Sequence, residues 1–115
     1  ELVKKQEYKQ LALDGLETAT DTMMNLCDVC LDISPMALQV YKVGLRSAQG
    51  DTAVAISTLL SAASSGLYTS LINIKLAKGA AWTIAKRSDL EKYFGRLHEY
   101  QYIHSGRLAT MYNNI

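Results

Sequence analysis

The sequence predicts an all-α fold, an antiparallel helical bundle built on a long buried central helix at about residues 51–78 and paired as a dimer. Three observations predict it. From Thr52 to Ile74, 23 residues pass without a charge, although charges are spread through the chain on both sides. Before and after that segment, apolar residues recur at three- and four-residue steps, the period of an amphipathic helix. No stretch sustains the period of two that a sheet requires.

In chain order, Leu2 to about Ile33 carries Tyr8, Leu11, Leu16, Ala19, Met23, Leu26 and Cys30 at helical spacing, with Lys4, Lys5, Lys9 and Glu17 elsewhere. This predicts the first helix. Pro35, the only proline, ends it: Ser34 is a candidate N-cap and Pro35 suits the first position of a second helix, running to about Ala48. The loop Ser47-Ala-Gln-Gly50 then leads to Asp51, a candidate N-cap whose carboxylate meets the positive end of the central helix. Ala and Leu favour that helix, Gly66 is its weak interior residue, and Lys75, Lys78 and Gly79 supply its C-terminal signals. Ala80 to Ala85 reads as a short helical turn with Trp82 packed inside. Ser88-Asp-Leu-Glu91 reads as a capping box opening a last helix that bears Leu90, Phe94, Leu97, Leu108 and Met111.

The central segment is rich in Ala, Ser and Gly, and small side chains let another backbone approach closely. That suits a helix surrounded by helices or pressed against its copy in a two-fold dimer. A span of 23 uncharged residues is also long enough to cross a bilayer. Its many hydroxyls and few large aliphatics make a weak insertion signal, so a small membrane-associated protein is the last of the alternatives.

At 115 residues the chain is one domain with one modest core. Twelve basic and 11 acidic residues give a net charge of +1, which offers no electrostatic case for nucleic acid or an anionic membrane. The chain opens on Glu1 with no signal-peptide pattern, and a cytoplasmic protein, part of something longer, is the expectation.

Cys27-Asp-Val-Cys30 is formally C-x-x-C, and His98 and His104 could be set beside it as metal ligands. The pairs are 67 residues apart, far from finger spacing, and both cysteines fall on the apolar side of a helix. They read as core thiols. The two histidines stand roughly 240° apart around a helix and share no face. Each reads as a surface or packing residue; no metal site, phosphate loop or nucleophile elbow is present.

The run Asp51-x-x-Val54-Ala55, the small and aliphatic residues after it, Gly66, and Ile72-Asn73-Ile74 are similar to the most recognisable helix of the cyclodeaminase/cyclohydrolase family. That family includes the C-terminal domain of formiminotransferase-cyclodeaminase and bacterial methenyltetrahydrofolate cyclohydrolases. The segment Met24-x-Leu26-Cys27-x-x-Cys30-Leu31 resembles the preceding family helix. Gly50 replaces the usual serine, Gly66 stands one position late, and the family's Pro-x-Pro-Gly-Gly-Gly opening is missing, so the resemblance is to the C-terminal half of a family domain.

The resemblance implies folate one-carbon chemistry on 5-formimino- or 5,10-methenyltetrahydrofolate, a tetrahydrofolate derivative being the substrate and no metal taking part. Within it, Asp51 is the candidate catalytic proton donor or acceptor and Asn73 the candidate substrate-binding residue, its amide reading a pterin edge. Capping alone explains Asp51, and a bond to a neighbouring helix explains Asn73, so both readings stay open. The two lie 22 residues apart, about 33 Å along an unbroken helix, too far for one small ligand in one subunit. Either the helix breaks near Gly66, or an antiparallel dimer joins one chain's Asp51 to the other's Asn73, or one of them is structural. The alternative is a helical oligomerisation module without catalysis.

Overall fold

A computed structural model describes all residues, Glu1–Ile115, and contains helices only. They are α1 (Leu2–Val43), a 3-10 turn (Arg46–Ala48), α2 (Gln49–Leu76) and α3 (Ala81–Asn113). The molecule is a rod of 68 × 20 × 19 Å. Its length is that of α1, whose 42 residues rise about 63 Å.

Neighbouring contacts fix the directions. Gln49 reaches Tyr41 and Gly66 lies on Met23 and Cys27, so α2 runs back along α1. Lys86 pairs with Asp21, Arg96 with Asp28 and Asp32, and Arg107 with the Leu38 carbonyl, so α3 runs alongside α1 in the same direction.

The core is a seam with a seven-residue repeat. On α1 the buried positions are Thr20, Met24, Cys27, Leu31, Ser34, Leu38 and Tyr41. On α2 they include Ile56, Leu60, Ala63, Leu67 and Ser70. Steps of four and three keep one narrow stripe facing the partner, the geometry of a left-handed coiled seam. This stripe sits one position beyond the Met23, Leu26 and Cys30 register expected from apolar residues, although Cys30 is buried too. Its polar members hid it: Thr20, Ser34 and Ser70 are buried because each hydroxyl donates to the carbonyl four residues back, at 2.6–2.7 Å.

Pro35 does not end the first helix. α1 passes straight through it, and Ser34 is mid-helix rather than an N-cap. An interior proline costs about 3 kcal/mol. Here Leu31 and Ser34 before it and Leu38 and Tyr41 after it all lie in the same seam, so packing holds both halves in line. The chain leaves the helix at Gly44 instead.

The starts of α2 and α3 also differ from expectation. The 3-10 turn begins α2 early, with Ala48 at its N-cap, so Asp51 lies within the first turn and makes no capping bond. Gly79, at φ +94°, makes the reversal into α3, a conformation that favours glycine. Ala80 is then the N-cap, and Thr83 closes the first turn by donating to the Ala80 carbonyl at 2.7 Å. Ser88 and Glu91 are consequently inside α3 and cap nothing. Trp82 is half-buried, with the Lys86 ammonium 5.9 Å from its ring.

α2 touches both other helices but is buried on one side only. Val54, Tyr68, Ile72 and Leu76 remain exposed on its uncharged outer face. Residues 2–12 of α1 project past the other helices and are exposed all round, including Tyr8 and Leu11. One helix, Arg46–Leu76, is long and apolar enough to cross a membrane; a third of its most apolar window is buried in the bundle, and core helices meet the same criterion.

Candidate functional site

Gly66 sets the closest approach of α1 and α2. A Cβ there would lie 2.7 Å from the Met23 carbonyl oxygen and 3.5 Å from the Cys27 Cβ, so only glycine lets the helices meet at this depth. α2 runs unbroken through it. Asp51 and Asn73 therefore stay about 33 Å apart by the helical rise, and the chain does not bring them together.

Asp51 is exposed in the first turn of α2. A shallow apolar groove of about 360 Å³ opens beside it, walled by Ile33, Met36, Ala37 and Val40 of α1, by Ala48 of the 3-10 turn and by Thr52 and Ala55 of α2. The carboxylate thus stands at the positive end of the helix dipole, at the rim of a surface on which a flat ring can rest. Asn73 is 9% exposed near the other end of α2.

Cys27 and Cys30 are free, buried thiols of the seam. Burial pushes the Cys27 thiol up to about 11, with Cys30 and Asp28 adding to it, so it is neither a ready nucleophile nor a ready metal ligand. No group of three or more His, Cys, Asp or Glu side chains is placed to hold a metal ion.

A second site lies where α3 crosses the middle of α2. The inward positions of α3 also step by three and four: Thr83, Lys86, Leu90, Tyr93, Leu97, Tyr100, His104 and Arg107. Past Leu97 that stripe turns polar, against an α2 surface of Ser57, Thr58, Ser61 and Ser65, and the helices enclose a groove of about 570 Å³. The His104 Nε2 and Ser57 Oγ are 2.7 Å apart. The other ring nitrogen, Nδ1, is buried with no partner. Burial lowers the His104 pKa below 6.5, and the Arg107 charge lowers it further, so the ring is neutral at pH 7. Arg107 stacks 4.7 Å from the Tyr41 ring centre and donates one N–H to the Leu38 carbonyl at 2.8 Å.

His104, expected as a surface or packing residue, lines this groove, and Ser57 and Arg107 join it although no motif marks either. One signal was legible: Arg96 and Arg107 stand eleven residues apart, about 20° around a helix, while Asp28 and Asp32 share a face of α1. Arg96 does meet both aspartates, and its hydrogen bond to Asp32 raises its pKa.

No curated protein and no solved structure matches the chain. The family pattern of formiminotransferase-cyclodeaminase matches residues 3–92, which takes in α1, α2, Gly66, Asp51 and Asn73 and stops before the polar half of α3. With that match covering most of its length, the chain belongs to the formiminotransferase-cyclodeaminase family.

Proposed function

We propose that this chain is a folate one-carbon domain acting on 5-formimino- or 5,10-methenyltetrahydrofolate, with Asp51 moving the proton and Asn73 binding the pterin. The observation that carries the reading is the family match across residues 3–92. Cyclodeamination and cyclohydrolysis both pass through a tetrahedral carbon bonded to nitrogen, which a positioned carboxylate serves by giving or taking a proton. An exposed Asp51 beside an apolar groove and a polar Asn73 amide in the mostly apolar buried face of α2 support those roles.

Because α2 is continuous, joint action of the two residues requires a second copy. In an antiparallel dimer the exposed, uncharged face of α2 covers itself, and Asp51 of one protomer approaches Asn73 of the other. That face also favours a second reading, a helical assembly module that keeps the packing without the chemistry.

A thermal-shift titration with a tetrahydrofolate analogue, beside a light-scattering mass, separates the two. A ligand selective for the folded state at a hundredfold over its Kd adds about 2.7 kcal/mol of stability. An upward shift on a dimer supports the enzyme; no shift on a dimer leaves the assembly module. Asp51→Asn should lower kcat about a hundredfold or more while costing at most about 1 kcal/mol of stability, since Asp51 makes no capping bond and only its charge at the helix start is lost. Turnover at the wild-type rate would remove Asp51 from the mechanism.

A further inference from the structure

The groove between α2 and the last turns of α3 takes its α3 wall, His104, Arg107, Leu108 and Met111, from outside the family match. Its volume of about 570 Å³ falls within the roughly 300–1,000 Å³ of small-molecule sites. Half of its lining is hydrophobic, and no acidic residue lines it. Arg107 forms no ion pair, in contrast to Lys86 and Arg96 on the same helix. One N–H goes to the Leu38 carbonyl and Tyr41 holds the guanidinium plane, so most of its five donors remain free on a pre-oriented group.

We propose that this groove binds a small amphipathic carboxylate, with Arg107 receiving the carboxylate and Val54, Ala62, Leu108 and Met111 covering its apolar body. Charge and shape both support this occupant. An unpaired guanidinium, oriented in advance and partly desolvated, favours a planar anion that accepts two N–H bonds. The apolar walls favour a ligand with a hydrocarbon or aromatic body over an inorganic anion. The hydroxyls of Ser57, Thr58, Ser61 and Ser65 line the α2 side without opposing charge.

His104 provides a reporter. Arg107 from α3 is the only charged group facing its ring, α1 presents Tyr41, and α2 presents hydroxyls. Burial is the main cause of the low His104 pKa and the Arg107 charge adds to it; a carboxylate on Arg107 offsets that added charge, so binding raises the His104 pKa.

The test is calorimetric titration of the full chain with naphthoate and, separately, with its neutral analogue naphthalenemethanol, together with an NMR titration of the His104 ring. Naphthoate should bind about tenfold tighter or more than the alcohol and shift the His104 pKa upward. Arg107→Gln should abolish that preference and Arg107→Lys should keep part of it. If Arg107→Gln does not fold, Ser61→Glu decides: Ser61 lines the α2 side of the groove, and a carboxylate there should weaken naphthoate about tenfold more than it weakens the alcohol. Equal affinity for the two probes, no binding of either, an unmoved His104 pKa, or wild-type affinity in Ser61→Glu would each overturn the proposal.

Discussion

The α1–α2 seam and the α3 attachment are two solutions to packing helices side by side. In the seam, glycine, alanine, cysteine and serine let backbones approach, and the buried hydroxyls are satisfied within their own helices. Nothing in it depends on charge. α3 buries only Thr83, Leu90 and Leu97, and is fastened by Lys86 and Arg96 to aspartates of α1 near the surface. Close packing excludes solvent from the seam and leaves only the shallow groove beside Asp51 at its edge. Attachment by long polar side chains leaves gaps, and the Ser57–His104–Arg107 groove is one of them.

The largest effects should come from the seam. Leu31 is fully buried there, and Leu31→Ala should cost about 3–4 kcal/mol, whereas exposed Leu108→Ala on α3 should stay within about 0.5 kcal/mol. Chemical denaturation of the two variants measures the difference; equal losses would show that the last turns of α3 are packed as tightly as the seam.

One substitution made in both regions sharpens the contrast by changing sign. Gly66→Ala sets a Cβ 2.7 Å from the Met23 carbonyl oxygen, a backbone atom that yields only if α1 shifts, and should destabilise by about 2 kcal/mol. Gly95 is an interior residue of α3 whose added Cβ meets nothing within 4 Å. Gly95→Ala should therefore stabilise by about 0.5–1 kcal/mol through helix propensity and a less flexible unfolded chain. Melting temperatures moving the same way for both would refute the close approach.

Removing the Arg96 side chain tests the polar attachment. Arg96→Gln should cost about 0.5–1 kcal/mol, and that difference should shrink at high salt because both aspartates are partly exposed. A loss independent of salt would mean that Arg96 acts by packing its hydrocarbon stem.

The smallest expected effect is a pH dependence from the groove. His104 has a pKa below 6.5 in the folded protein because of burial and Arg107. The unfolded chain then binds a proton that the folded chain resists, so stability should fall as pH drops through about 6.5 and level off below the folded pKa. His104→Gln should flatten that part of a stability profile measured between pH 8 and pH 5. An unchanged profile would assign the slope to other groups.

The helical class, the uncharged central segment, the core character of Cys27 and Cys30, and the family were all legible in the order of the residues. These follow from composition, from periodicity, and from a pattern of small residues around Asp51, Gly66 and Asn73. Tertiary structure alone decided the rest. Pro35 lies inside a helix because packing on both sides of it outweighs its local cost. Ser88 and Glu91 cap nothing because Gly79 turns the chain nine residues before Ser88. The inward register ran through Thr20, Ser34 and Ser70, which look like surface residues until their hydroxyls are seen bonded to their own helices. Ser57 and His104 meet across 47 residues of sequence, and no spacing rule within one helix could announce it. Local preferences differ by about a kilocalorie per residue, and burying a whole stripe against a neighbour is worth more, so the neighbour chooses which stripe it will be.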